Sequence, residues 1–95
     1  MVKKISWKGQ KLHLVKKYFE SYGGMTVLLM DETNFPVVKV NHKSVKYDLN
    51  RNEIIVNNHN SNKGIKEKLI HEGYLIPTNK WVEIDNQLCE ICRIT

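Results

Sequence analysis

Lys11-Leu12-His13-Leu14-Val15-Lys16-Lys17-Tyr18-Phe19-Glu20-Ser21-Tyr22-Gly23-Gly24-Met25-Thr26-Val27-Leu28-Leu29-Met30 is the stretch whose reading decides the fold. Two structures compete for its first half. Leu12, Val15 and Phe19, and likewise Leu14, Tyr18 and Tyr22, recur at helical spacing, and Gly23-Gly24 would stop a helix. Yet Met25 to Met30 is an apolar, strand-like run directly after the two glycines. Gly-Gly between two such segments also reads as a hairpin turn, because glycine takes positive φ at little cost. Periodicity alone leaves both readings open.

Beyond this stretch the pattern is clearer. Asp31-Glu32-Thr33-Asn34 is a polar turn, and Phe35 to Asn41 is a β-branched strand with Pro36, which donates no ladder hydrogen bond, at its beginning. Asp48 to Asn52 is a loop by its Asp and Asn content, followed by the short strand Glu53 to Asn57. The Asn-rich segment Asn58 to Asn62 carries turn and cap chemistry. It leads into one helix at about 61–72, capped by Ser61 or Asn62, striped by Ile65 and Leu69 and closed by Gly73. Pro77 blocks continuation. Trp81 to Ile84 and Leu88 to Ile94 flank Asp85-Asn86-Gln87 as a β-hairpin, with Trp81 expected as a core anchor. The fold class expected is α+β: an antiparallel sheet of about five to six short strands with one inserted helix.

Length and charge narrow the function. Ninety-five residues suit a single domain over 1–95, its first ten residues forming a basic lead, and leave no room for a dinucleotide-binding fold or a catalytic barrel. No apolar run reaches the ~20 residues that span a bilayer, and no apolar region follows Lys3-Lys4 as in a signal peptide, so a cytoplasmic location without membrane contact is expected. Lysine outnumbers arginine 13 to 2, alanine is absent, and the net charge is +5. This bias fits a low-GC host or a mobile element, and it predicts attraction to an acidic partner, nucleic acid or protein.

The order of segments resembles a family of small proteins of phages and plasmids of low-GC bacteria. The resemblance rests on Leu14-Val15-Lys16-Lys17-Tyr18, the glycine turn, Thr26 to Asp31, Pro36, Val38-Lys39-Val40-Asn41 and Glu53-Ile54-Ile55-Val56. It continues through Asn62-Lys63-Gly64-Ile65, where the family has Asn-Glu-Gly-Ile, then Leu69, Gly73, Pro77-Thr78 and Ile91-Cys92-Arg93-Ile94. It implies that Lys11–Tyr22 is a strand. It also implies a place among accessory genes of mobile elements, where small proteins counter host defence. The concrete expectation is an anti-CRISPR protein that binds a type II-A Cas9 effector and blocks target-DNA binding. The alternatives are a basic nucleic-acid-binding accessory protein and a small interaction protein without a defence role. The family has no assigned chemistry, so no catalytic residue is carried over.

From the residues themselves, no nucleophile–base pair, phosphate loop or carboxylate couple stands out, so neither an enzyme nor a small-molecule substrate is expected. Cys89-Glu90-Ile91-Cys92 has the C-x-x-C spacing of a zinc knuckle, and His59 and His42, on loops near a sheet edge, would complete one structural zinc site. Against this, residues i and i+3 of a straight strand point to opposite faces, and buried thiols are ordinary core residues. Lys16, Lys17, Lys63 and Lys66 are the candidate partner-binding residues, with Trp7, Tyr18, Tyr22 and Tyr47 as possible stacking surfaces. The competing reading is a solvated lysine face and packed aromatics.

Overall fold

The computed structural model describes residues 3–19, 24–43 and 49–95. Strands β1 (Ile5–Trp7), β2 (Gln10–Phe19), β3 (Gly24–Met30) and β4 (Pro36–Lys39) form one antiparallel sheet in that order. Strands β5 (Asn41–His42), β6 (Glu53–Val56), β7 (Leu75–Ile84) and β8 (Gln87–Ile94) form a second, in the order β5-β6-β8-β7. The α+β class is as expected, but the described residues form eight strands rather than five or six. One extra strand lies in the basic lead, where Ile5 is fully buried and Lys8-Gly9, both at positive φ, turn β1 into β2. Gln10–Phe19 is a strand, pairing from His13↔Met30 to Phe19↔Gly24, so the hairpin reading of the decisive stretch holds; its turn, 20–23, lies outside the described residues.

Alternation along the strands builds the core. Ile5, Leu12, Val27, Leu29 and Val38 from the first sheet meet Ile54, Val56, Leu75, Cys92 and Ile94 from the second. Ile65 and Leu69 of α1 (Ile65–His71) join the same cluster. The opposite face of the second sheet carries a smaller cluster of Ile55, Cys89 and Ile91. Between β4 and β5 the chain passes from one sheet to the other. Val40 donates to Val27 O and accepts from Asn57 N there, each at 2.8 Å. Buried Asn41 supplies the ladder that the crossing removes: its Oδ1 accepts from Val27 N–H at 2.9 Å and its Nδ2 donates to Met25 O at 2.7 Å.

The helical segment differs from expectation at its start. A 3₁₀ turn, Asn60–Asn62, is separated from α1 by Lys63-Gly64, with Gly64 at φ 94°. Neither Ser61 nor Asn62 caps α1. Asn62 is instead buried and donates to Lys39 O at 2.7 Å. Asn58 does the capping from a distance, its Oδ1 accepting from Gly64 N at 3.0 Å and Lys66 N at 2.9 Å. A left-handed residue before a helix sets its direction, and only glycine adopts it without strain. The last strand pair also starts earlier than expected: β7 begins at Leu75 and runs through Pro77, with a bulge between Pro77 and Lys80. An edge strand tolerates proline because its outer N–H has no ladder partner to lose. Asp85 and Asn86, both at positive φ, close the β7–β8 hairpin as anticipated.

Candidate functional site

The C-x-x-C pair is split by the pleat. Cys92 packs in the main core and Cys89 in the small cluster on the other face of the second sheet. Burial pushes both thiols up, Cys92 to about 12, so neither is a thiolate at neutral pH. The Nε2 of His59 lies 3.0 Å from Leu88 O. His42 has a buried Nε2 with no hydrogen-bond partner among the described residues, and burial lowers its pKa. Among the described residues, no three His, Cys, Asp or Glu side chains form a group able to hold a metal ion. The four expected ligands are therefore not brought together.

The candidate lysines are dispersed as well. Lys16 and Lys17 are neighbours in sequence and point to opposite faces of β2: Lys16 pairs with core Val27, Lys17 with Thr26. Lys16 Nζ donates to Thr95 O at 3.2 Å. Lys63 is exposed on the turn before α1. Lys66 is internally engaged. Its Nζ lies 3.1 Å from buried Glu90 and 4.8 Å from the Trp81 ring centroid. Burial alone would lower its pKa, but the Glu90 hydrogen bond and charge outweigh that and raise it. Trp81 is not the anchor expected: it is 49% exposed beside this pair, and Leu88 is 63% exposed on the same face. Trp7 lies on the inner side of β1 against the core, and Tyr22 and Tyr47 fall outside the described residues.

One surface does collect cations. Register puts Lys11, His13, Val15 and Lys17 of β2 on the outer face of the first sheet, beside Thr26, Leu28 and Met30 of β3 and Val37 and Lys39 of β4. Lys11, Lys17 and Lys39 are exposed and pair with no carboxylate among the described residues. Lys4 shares a cleft with Lys11, lined also by Gln10, Asp31, Glu32 and Thr33. Asp31 is turned toward its own loop, accepting from Thr33 N, Thr33 Oγ1 and Phe35 N. The charge of the whole chain follows this division. Residues 1–43 hold eight lysines against three carboxylates, and residues 44–95 hold seven basic against seven acidic residues, so the net +5 belongs to the first. The signal was present in the sequence as the odd-numbered register Lys11-x-His13-x-Val15-x-Lys17. It becomes readable once the segment is a strand and its face is known.

Against protein-family models, curated proteins and solved structures, the chain finds no match in any of the three comparisons. Among the described residues, no helix is long and apolar enough to cross a membrane.

Proposed function

We propose that this chain is a binding protein that acts by occlusion, seating the basic outer face of its first sheet on a polyanionic surface. The supporting observation is the segregation of charge: the lysines of the second sheet and helix are tied to Glu53, Glu67, Glu72 and Glu90, while Lys11, Lys17 and Lys39, around Val15 and Leu28, pair with no carboxylate among the described residues. Unpaired cations around an aliphatic strip favour a large acidic partner, since each neutralised contact adds attraction and the strip excludes water. A basic inhibitor cannot mimic DNA. The resemblance supplies the concrete form: on a guide-loaded Cas9-type effector, the basic face sits against the bound nucleic acid and denies target DNA its place. The test is a gel shift that resolves labelled target duplex bound to guide-loaded type II-A Cas9 from duplex bound to this chain alone. Saturating protein should abolish duplex binding, and the triple variant K11E/K17E/K39E should restore it. Undiminished duplex binding in the presence of saturating protein overturns the occlusion reading.

A further inference from the structure

We infer that the outer face of the first sheet binds double-stranded nucleic acid through its phosphates, without base recognition; this rests on the proposed polyanion-binding role of that face. Three features of the face select this partner. First, its cations are set apart on a rigid frame. Lys11 and Lys17 are six residues apart on β2, roughly 20 Å at about 3.3 Å per residue. Lys39 is two strands away in the row of Val15 and Leu28, roughly 10 Å to the side. That spread suits the two phosphate backbones bordering a groove of duplex, the major groove being about 12 Å wide before the phosphates themselves are added.

Second, the strip between the cations offers no base-stacking platform. Between Lys11 and Lys17 stand His13 and Val15, opposite Met30 and Leu28, with Thr26 opposite Lys17, so the strip carries one imidazole and no phenyl or indole ring. Single-strand binders depend on aromatic rings that stack successive bases. Of the exposed rings, Tyr18 alternates to the other face of β2 from Lys17, Phe35 lies on the turn before β4 outside the strip, and Trp81 belongs to the other sheet. Third, Arg, Asn and Gln, which with Lys make the bidentate contacts to base edges, are absent from these outer strip positions, and both arginines, Arg51 and Arg93, lie in the second half of the chain. Lysine is a flexible point charge that meets phosphate without specifying sequence. Glu32, exposed at the Lys4–Lys11 end, limits the contact there, so Lys17 and Lys39 carry most of it.

The experiment measures polarisation of labelled 20-base-pair duplexes of two unrelated sequences, and of their separate strands, against the full chain at rising KCl. Duplex should bind more tightly than either strand, equally for both sequences. Neutralising about three phosphates gives a log–log salt slope near −2.7, hence about a 40-fold loss of affinity between 50 and 200 mM salt. K17E/K39E should abolish duplex binding while its melting curve stays that of the parent, and Lys63→Glu, off the face, should leave affinity within about twofold. Single strands bound as tightly as duplex, or a salt effect below about fivefold, overturn the inference. The two readings fail separately. Inhibition of the effector that depends on these lysines, without duplex affinity, removes this inference and leaves occlusion of an acidic protein surface. Duplex affinity without any effect on the effector does the reverse.

Discussion

The two sheets each pair four antiparallel strands but use their charged residues in different ways. In the second, charge serves the fold. Lys80 reaches Glu53 at 2.6 Å, and Lys66 reaches Glu90 at 3.1 Å while lying over Trp81. Glu90 also accepts from Asn79 N at the β7 bulge. This sheet buries apolar residues on both faces, and its ion pairs close the places where the layers end. The first sheet buries its inner face, and on its outer face Met30 alone among the described residues is buried. Its outer face keeps lysines that pair with no carboxylate among the described residues, beside half-buried Val15 and Leu28, an arrangement that adds self-repulsion. A stretch of chain whose charges do not stabilise it is where a partner is to be sought.

The largest expected effects test the difference in burial. Ile54 and Ile55 are adjacent, both buried, and face the main core and the small cluster respectively. Ile54→Ala should cost about 4 kcal/mol in urea unfolding, and Ile55→Ala about 2, because the small cluster is bordered by partly exposed side chains that can relax into the gap. Equal costs would mean the two faces are equally constrained. Asn41→Ala comes next, at about 3 kcal/mol, since it strands the Val27 N–H and the Met25 carbonyl where the chain changes sheets. A loss under about 1 kcal/mol would show that water replaces the amide.

How far the sequence revealed this molecule follows from the kind of signal each part carries. Local rules found β3, β6, the Asp85-Asn86 turn and the region of the helix, because apolar alternation and turn chemistry are read within a few residues. Features set by distant partners were hidden. Asn62 is a good cap residue in isolation, but it is engaged by Lys39 O, 23 residues away, and Asn58 caps instead. Trp81 reads as a core anchor until the helix sets Lys66 over it and the core ends one row earlier. C-x-x-C spacing suggested a shared ligand, and strand alternation, weighed beside it, divided the pair. The basic face was hidden for a related reason: Lys16-Lys17 looks like one cluster, whereas a pleated strand sends the two lysines to opposite sides.

In the second sheet, Glu90→Ala should lower stability by about 2 kcal/mol, as Lys66 loses its partner and Asn79 N–H its acceptor. Glu90→Gln, which keeps an acceptor, should recover about half. Identical losses would show that charge, not hydrogen bonding, is what the bulge requires. A smaller, pH-dependent effect belongs to His42. Its folded-state pKa lies below 6.5 because burial disfavours the cation, with the charges of His59 and Lys39 acting the same way and Asp85 opposing. The unfolded chain therefore takes up this proton first. The His42 contribution is complete above pH 6.5 and is lost as pH falls through the folded-state value. Glu53 and Glu72, held low by hydrogen bonds from Lys80 and Lys3, add their own losses only below about pH 4.5. A melting temperature that declines between pH 6.5 and 5, and a His42→Asn variant that does not decline there, would establish the assignment. A parent protein flat across that window would refute it.

The smallest expected effect on stability is also the sharpest contrast between the sheets. Lys11→Gln, Lys17→Gln and Lys39→Gln should each change unfolding free energy by no more than about 0.5 kcal/mol, as exposed substitutions away from any partner do. Combined, they should leave the protein equally stable or slightly more stable at low salt, because removing three like charges from the half that carries the net +5 relieves repulsion. Lys66→Gln, chemically the same change, should cost about 1–2 kcal/mol, since it leaves buried Glu90 without its cation. Urea unfolding of the four single variants and the triple variant at 20 and 300 mM salt separates the cases. The first-sheet variants should differ from the parent only at low salt, while the Lys66 deficit should persist at both, because a partly buried pair is screened less than an exposed face. Destabilisation by the first-sheet set as large as that by Lys66→Gln would mean those lysines do hold the fold, and the basic face would then lose its claim to be free for a partner.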